Sequence, residues 1–136
     1  MKKLSNKLEF LMNLSKAQAI ISRKLHGQGL GFGDLVVLNA ISQADGGKIR
    51  RVDLAEQVGL TASAVTRILI PLEKIGVVKR ESGEHDARVG YTSLTTAGKE
   101  LFEDTIKWTS LKCEDLLSGQ NEKDLAQMSE VLKTIS

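Results

Sequence analysis

Leu4, Leu8, Leu11, Leu14, Ile21 and Leu25 recur at helical spacing, with Phe10 and Ala17 beside them, until HGQGLGFG interrupts the rhythm. This predicts a first helix that ends near His26. A second helix is expected from about Asp34 to Ala44, carried by Leu35, Val37, Leu38 and Ile41 and closed by Asp45, Gly46 and Gly47. Lys48 to Arg51 reads as a short basic bridge. Val52, Leu54, Ala55 and Val58 then give a compact third helix, and Gly59 supplies the left-handed conformation of a tight interhelical turn. Leu60 is expected to anchor that turn in the core.

Thr61 suits the N-cap of a fourth helix, whose inner face reads Val65, Ile68, Leu69, Leu72 and Ile75 while Ser63, Thr66 and Arg67 point elsewhere. Pro71 lies inside this helix, where a lost donor and a ring clash cost about 3 kcal/mol, so a kink is expected near Arg67 to Pro71. Gly76 stops the helix. Val77 to Glu81 and Tyr91 to Leu94 read as strands, with Ser82 to Gly90 as the hairpin tip. Thr95 caps a long helix through roughly Leu117, bearing Leu101, Phe102, Ile106, Trp108, Leu111 and Leu116. In the last helix, Leu125, Met128, Leu132 and Ile135 follow a spacing suited to packing on another helix. The fold class is therefore mainly α with a small β-hairpin wing. Residues 31–98 are expected to form a winged helix-turn-helix lobe, and residues 1–30 with 99–136 a helical extension suited to be a dimerisation region.

A chain of 136 residues with 41% hydrophobic and 26% charged residues can bury a core as one compact unit, and neither disorder nor a collagen-like composition fits. Few aromatic residues and a single proline favour helices over a β-sandwich. The net charge of +2 is too small to establish a nucleic-acid partner by itself. Its distribution is uneven, with six Lys/Arg against one acid from Met1 to His26 and five against eight from Thr95 to Ser136. Charged and polar residues interrupt every apolar run near the N-terminus before it reaches membrane-spanning length, so no membrane partner is expected. Cys113, the single cysteine, excludes an internal disulfide and fits a reducing, cytoplasmic setting.

A recognition helix enters the major groove with its outer face, which calls for small or hydrogen-bonding side chains near its N-terminus. Thr61, Ala62, Ser63, Thr66 and Arg67 meet that need. Arg67 has the reach to grip guanine O6 and N7; a phosphate contact or a pair with an acid are its alternatives. Arg88 sits at the hairpin tip, where an arginine can enter a narrow minor groove, or form only a surface ion pair. Asp86 is too acidic to face phosphate and is expected to brace Arg67 or Arg88. Lys48, Arg50, Arg51, Lys79 and Arg80 flank the motif as candidate phosphate contacts. Double-stranded DNA is the first partner to consider.

The run LAEQVGLTASAVTRILIPLEKIGVVKRE followed by DARVGYTSLTTAG resembles the MarR family of bacterial transcription regulators, with Asp86, Arg88, Leu94, Thr95 and Gly98 matching the wing pattern in place. The resemblance extends more weakly over nearly the whole chain. It implies a homodimer built from the first, fifth and sixth helices, which reads a pseudo-palindromic operator and represses. It also implies Arg88 in the minor groove and Asp86 tethering the wing to the recognition helix. Gly31 and Gly33 depart from a Thr-rich start of the second helix, and Pro71 from a polar or basic residue. A small aromatic or phenolic effector is a further implied partner. Arg23, His26 and Trp108 are candidates to line its pocket, against a reading of the three as helix surface and core packing.

Cys113 reads as a small buried or interface residue rather than a redox switch. His26 and His85 with one cysteine are too few soft ligands for a zinc site, so no metal or cofactor is expected. No Gly-rich phosphate loop, G-x-S-x-G elbow or H-E-x-x-H occurs, which argues against an enzyme and leaves no catalytic residues to name. The remaining alternative is a winged-helix protein-interaction module without specific DNA binding.

Overall fold

The computed structural model describes residues 3–83, 85–86 and 88–136. Met1 and Lys2 of the basic N-terminal stretch, and Glu84 and Ala87 of the expected hairpin tip, lie outside the described residues. Helix α1 spans Asn6–Lys24, with Ser5 as its N-cap accepting from the Leu8 N–H at 3.2 Å. It ends slightly before His26, because Leu25 leaves the helix and turns into the core. Gly27 and Leu30 then exchange backbone hydrogen bonds across a tight turn. Helix α2, Phe32–Ser42, starts ahead of the expected Asp34 because Asp34 itself reaches back, its Oδ2 accepting from the Gly31 N–H at 2.8 Å. After α2, Asp45–Gly47 forms a short 3-10 turn.

Lys48–Ile49 is a strand, β1, where the sequence suggested only a basic bridge. Helix α3 covers Arg51–Val58 and α4 covers Ala62–Lys74. The wing strands are β2, Val78–Ser82, and β3, Gly90–Leu94. All three strands form one antiparallel sheet in the order β1-β3-β2, with Lys48 opposite Ser93 and Arg80 opposite Thr92. Helix α5 runs Thr96–Leu116 and α6 runs Glu122–Lys133.

One contiguous core lies within the lobe. Leu30, Leu35, Leu38 and Ile41 meet Leu54 of α3, Val65, Leu69 and Leu72 of α4, and Val77, Val78 and Leu94 of the wing, with Leu101 and Phe102 of α5 packed against its edge. Each such side chain contributes about 1.5–3 kcal/mol when taken fully out of water. By contrast, α1 and α6 hold no buried residue at all. Their apolar stripes, Leu8, Leu11 and Met12 on one and Met128, Val131 and Leu132 on the other, are exposed.

Two expectations for the central helices, those for Leu60 and Ile75, need correction. Leu60 does not anchor the turn with its side chain, which is 41% exposed; its backbone N–H does so, donating to the Ala55 carbonyl at 3.0 Å. Ile75 is not on the inner face of α4, because the helix ends at Lys74 and turns it outward, 63% exposed. The helix runs unbroken through Pro71. Pro71 stands in the last turn of α4 on an exposed face.

Candidate nucleic-acid interface

The geometry of α3 and α4 is set by two residues. Gly59 adopts φ 71 and ψ 28, a left-handed conformation that closes α3 at little steric cost. Thr61 stays extended and its hydroxyl accepts from the Ala64 N–H at 3.1 Å, starting α4 abruptly. Val65, Leu69 and Leu72 then bury one side of α4. Ala62, Ser63 and Arg67 are left exposed, while Thr66 is half-buried on the flank toward α3. Among the described residues Arg67 has no ion pair, so its guanidinium is available to a ligand.

The wing is braced from inside. The Gly83 N–H donates to the Val89 carbonyl and the Val89 N–H to the Asp86 carbonyl. Asp86 takes three hydrogen bonds from Arg88: the backbone N–H at 2.9 Å and Nε at 3.2 Å on Oδ1, and Nη2 at 3.2 Å on Oδ2. The Arg88 side chain, and then its backbone N–H, holds the Asp86 carboxyl below the usual aspartate range. Of the two partners open to Asp86 in the sequence, the structure selects Arg88; Asp86 makes no hydrogen bond to α4 among the described residues. Arg88 remains 91% exposed, so its guanidinium is oriented without being covered.

At the base of the wing, the Thr95 hydroxyl caps α5 by accepting from the Gly98 N–H at 2.9 Å and donates to the Gly76 carbonyl. A β-carbon at Gly98 would collide with the Val77 carbonyl oxygen, so only glycine lets α5 start this close to the wing. On the sheet, Lys79 and Arg80 are exposed, and Lys48 Nζ sits 5.1 Å from the centre of the Tyr91 ring.

The other flanking cations are not equivalent. Arg50 Nε donates to Asp53 Oδ2 at 3.0 Å, and that contact raises its pKa further above the usual arginine value. Arg51 turns toward α4, where its Nη1 donates to Thr66 Oγ1 at 3.3 Å and its Nη2 lies 3.8 Å from Glu73 Oε2. Sequence reasoning missed this link, because its partners lie 15 and 22 positions away.

The apolar cleft between α1, α2 and α5 is not lined by Arg23, His26 or Trp108. The Trp108 ring lies on Gly27, whose added β-carbon would come within 2.8 Å of three ring carbons, and Lys112 Nζ is 5.1 Å from that ring. Arg23 and His26 are exposed. The cleft, of about 350 Å³, lies between α1, the start of α2 and the end of α5, lined by Ile20, Ile21, Leu25, Phe32, Cys113 and Leu116 among others. Among the described residues no helix is long and apolar enough to cross a membrane, and no three His, Cys, Asp or Glu side chains come together as a metal site would require.

A family profile described as the MarR family matches residues 33–89, the span from α2 to the wing. The chain is 28% identical over 129 residues to YdgJ, an uncharacterized HTH-type transcriptional regulator of Bacillus subtilis strain 168, covering 94% of this chain and 77% of that protein. In three dimensions it is similar to the transcriptional regulator BldR from Sulfolobus solfataricus, with a TM-score of 0.82 at 23% identity over 99% of this chain and 100% of that one. A mutant MarR of E. coli complexed with operator DNA matches with a TM-score of 0.75 at 21% identity, over 94% of this chain and 92% of that one. A profile match that runs from α2 to the tip of the wing, a relative aligned along nearly the whole chain and a fold shared from end to end make this chain similar to transcriptional regulators of the MarR family.

Proposed function

We propose that the chain is a cytoplasmic homodimeric repressor that binds a pseudo-palindromic operator in double-stranded DNA and responds to a small aromatic effector. The observation that carries the reading is α4, a capped helix with its inner face buried and its outer face, Ser63 and Arg67, exposed and free of ion pairs among the described residues. Arg67, with Thr61, Ala62, Ser63 and Thr66, reads base edges in the major groove. Arg88, held out by Asp86, enters the adjacent minor groove. Arg50, Lys79 and Arg80 contact phosphates, adding affinity without sequence information. The operator-bound MarR, which shares this fold, supports DNA as the partner.

The dimer reading rests on α1 and α6, whose exposed apolar stripes need cover. The effector reading rests on the apolar cleft at the junction of α1, α2 and α5, where a bound aromatic ring would meet both the platform and the lobe. Such a ligand shifts the spacing of the two lobes only to the extent that it prefers one spacing over the other.

The test is selection of bound duplexes from a random DNA pool by the purified protein, followed by sequencing. Enrichment of an inverted repeat with half-sites about one helical turn apart is the expected result. On that duplex, Arg88→Ala should lower affinity and reduce the salt dependence, whereas Arg67→Ala should relax preference at particular base positions. A pool that emerges unenriched, with affinity indifferent to Arg88→Ala, would overturn the reading in favour of a winged-helix module that binds protein. Effector binding is tested separately with benzoate, which should raise the melting temperature and release the duplex; a melt and a duplex affinity both unmoved at millimolar benzoate would remove this ligand class.

A further inference from the structure

Arg51 opens α3, yet its side chain lies along α4. Its guanidinium spans Thr66 and Glu73, two turns apart on one flank of the recognition helix. Nη1 donates to Thr66 Oγ1, Nη2 faces the Glu73 carboxylate, and Nε is buried without a partner. A charge so placed is already facing an acid and mostly covered, with only 28% of the side chain exposed. It is poorly placed to release a counterion by meeting a phosphate.

The consequence falls on Thr66. A threonine hydroxyl has one proton to donate and two lone pairs to accept with. Within a helix its proton commonly goes to the carbonyl four residues back, as Thr105 does here toward Leu101. Thr66 makes no such bond among the described residues. Its oxygen is occupied as an acceptor by Arg51, and its proton has no acceptor among the described residues.

We infer that Arg51 is a positioning residue, which seats α4 on α3 and turns the Thr66 hydroxyl into a hydrogen-bond donor aimed at an acceptor on a base edge. Thr66 therefore favours guanine, adenine N7 or thymine O4 at its position and disfavours the cytosine amino group, which offers only a donor. This rests on the DNA-reading role proposed above and assigns Arg51 a different part in it from the phosphate contact expected from sequence.

The experiment combines duplex selection with a salt titration of affinity for the native chain, Arg51→Met, Thr66→Val, Thr66→Ser and the double variant Arg51→Met/Thr66→Val. Melting curves confirm that each is folded at the assay temperature. Arg51→Met and Thr66→Val are each expected to relax preference at the same base pair of the half-site by about fivefold, the worth of one ordinary hydrogen bond. The double variant should lose no more than either single one, since both remove the same contact. Thr66→Ser, which keeps the hydroxyl, should retain the preference. The salt slope of Arg51→Met should equal that of the native chain. A slope shallower by about 0.9 per half-site with base preference intact would make Arg51 a phosphate contact and overturn the inference. Losses at different base pairs, or losses that add, would overturn it as well. A native chain that enriches no duplex would overturn the DNA reading itself, and this inference with it.

Discussion

The lobe and the long helices solve the problem of burial in opposite ways. From α2 to the wing, half of the large apolar side chains are buried: Leu38, Ile41, Leu54, Val65 and Leu69 are fully covered by residues of the same chain. Along α1 and α6 none is, although both helices carry regular apolar stripes. A helix gains most of its stability from packing its apolar face rather than from intrinsic propensity, so a 19-residue helix with an open stripe is incomplete by itself. The difference teaches that the lobe from α2 to the wing is stabilised locally, whereas α1 and α6 are not. In our proposal the second copy of the chain supplies the missing cover, and with it the fixed distance between two lobes that an inverted repeat demands.

The contrast can be broken most severely from inside the lobe. Leu69→Ala, at a fully buried site, should cost about 2–5 kcal/mol through lost transfer energy and the cavity left behind, read as a fall in the denaturant midpoint. A loss below about 0.5 kcal/mol would mean that the lobe core relaxes far more than its packing implies. Next in size is Gly98→Ala, which forces a β-carbon against the Val77 carbonyl where α5 leaves the wing. Its cost should be about 1–3 kcal/mol by the same measurement, since the obstacle is backbone and cannot swing aside.

On the platform the same kind of side chain should behave differently. Leu8→Asp with Leu132→Asp changes only exposed positions, so helical circular dichroism should persist. Self-association should weaken by at least about tenfold, read by sedimentation velocity over a dilution series. Equal association by native and variant chains would sever the link between the stripes and the dimer.

The smallest effect belongs to the wing tip. Because Arg88 depresses the Asp86 pKa, the contact is fully formed at neutral pH. It is lost only as pH falls through that depressed value, below the 3.8 of an unperturbed aspartate. Both groups are solvent-exposed, so the global melt should not follow this titration. A carboxyl titration by NMR should show the low midpoint and its return to the ordinary value in Arg88→Gln; an ordinary midpoint in the native chain would remove the brace.

Much of the lobe was legible in the sequence because its signals are local. Thr61 and Thr95 announce helix starts, Gly59 and Gly76 announce ends, and the period of Val65, Leu69 and Leu72 gives the buried side of α4 directly. What escaped depends on distant partners. A two-residue strand has no alternation to detect, and Lys48–Ile49 exists as β1 only because Ser93 and Thr92 lie beside it. Leu60 and Ile75 are apolar by type but exposed, because each sits just outside its helix, where the backbone sets the direction of the side chain. Among the candidate DNA contacts, charge alone could not separate Lys79 and Arg80, exposed on the sheet, from Arg51, which is turned inward onto α4.

The claim that joins both halves is that two copies, held by the platform, present two lobes to one inverted repeat. Sedimentation equilibrium of the protein with a duplex from the selected pool tests it directly. The account predicts a single complex of two chains per duplex, and loss of tight binding when one half-site is scrambled. One chain per duplex, with affinity indifferent to the second half-site, would contradict it.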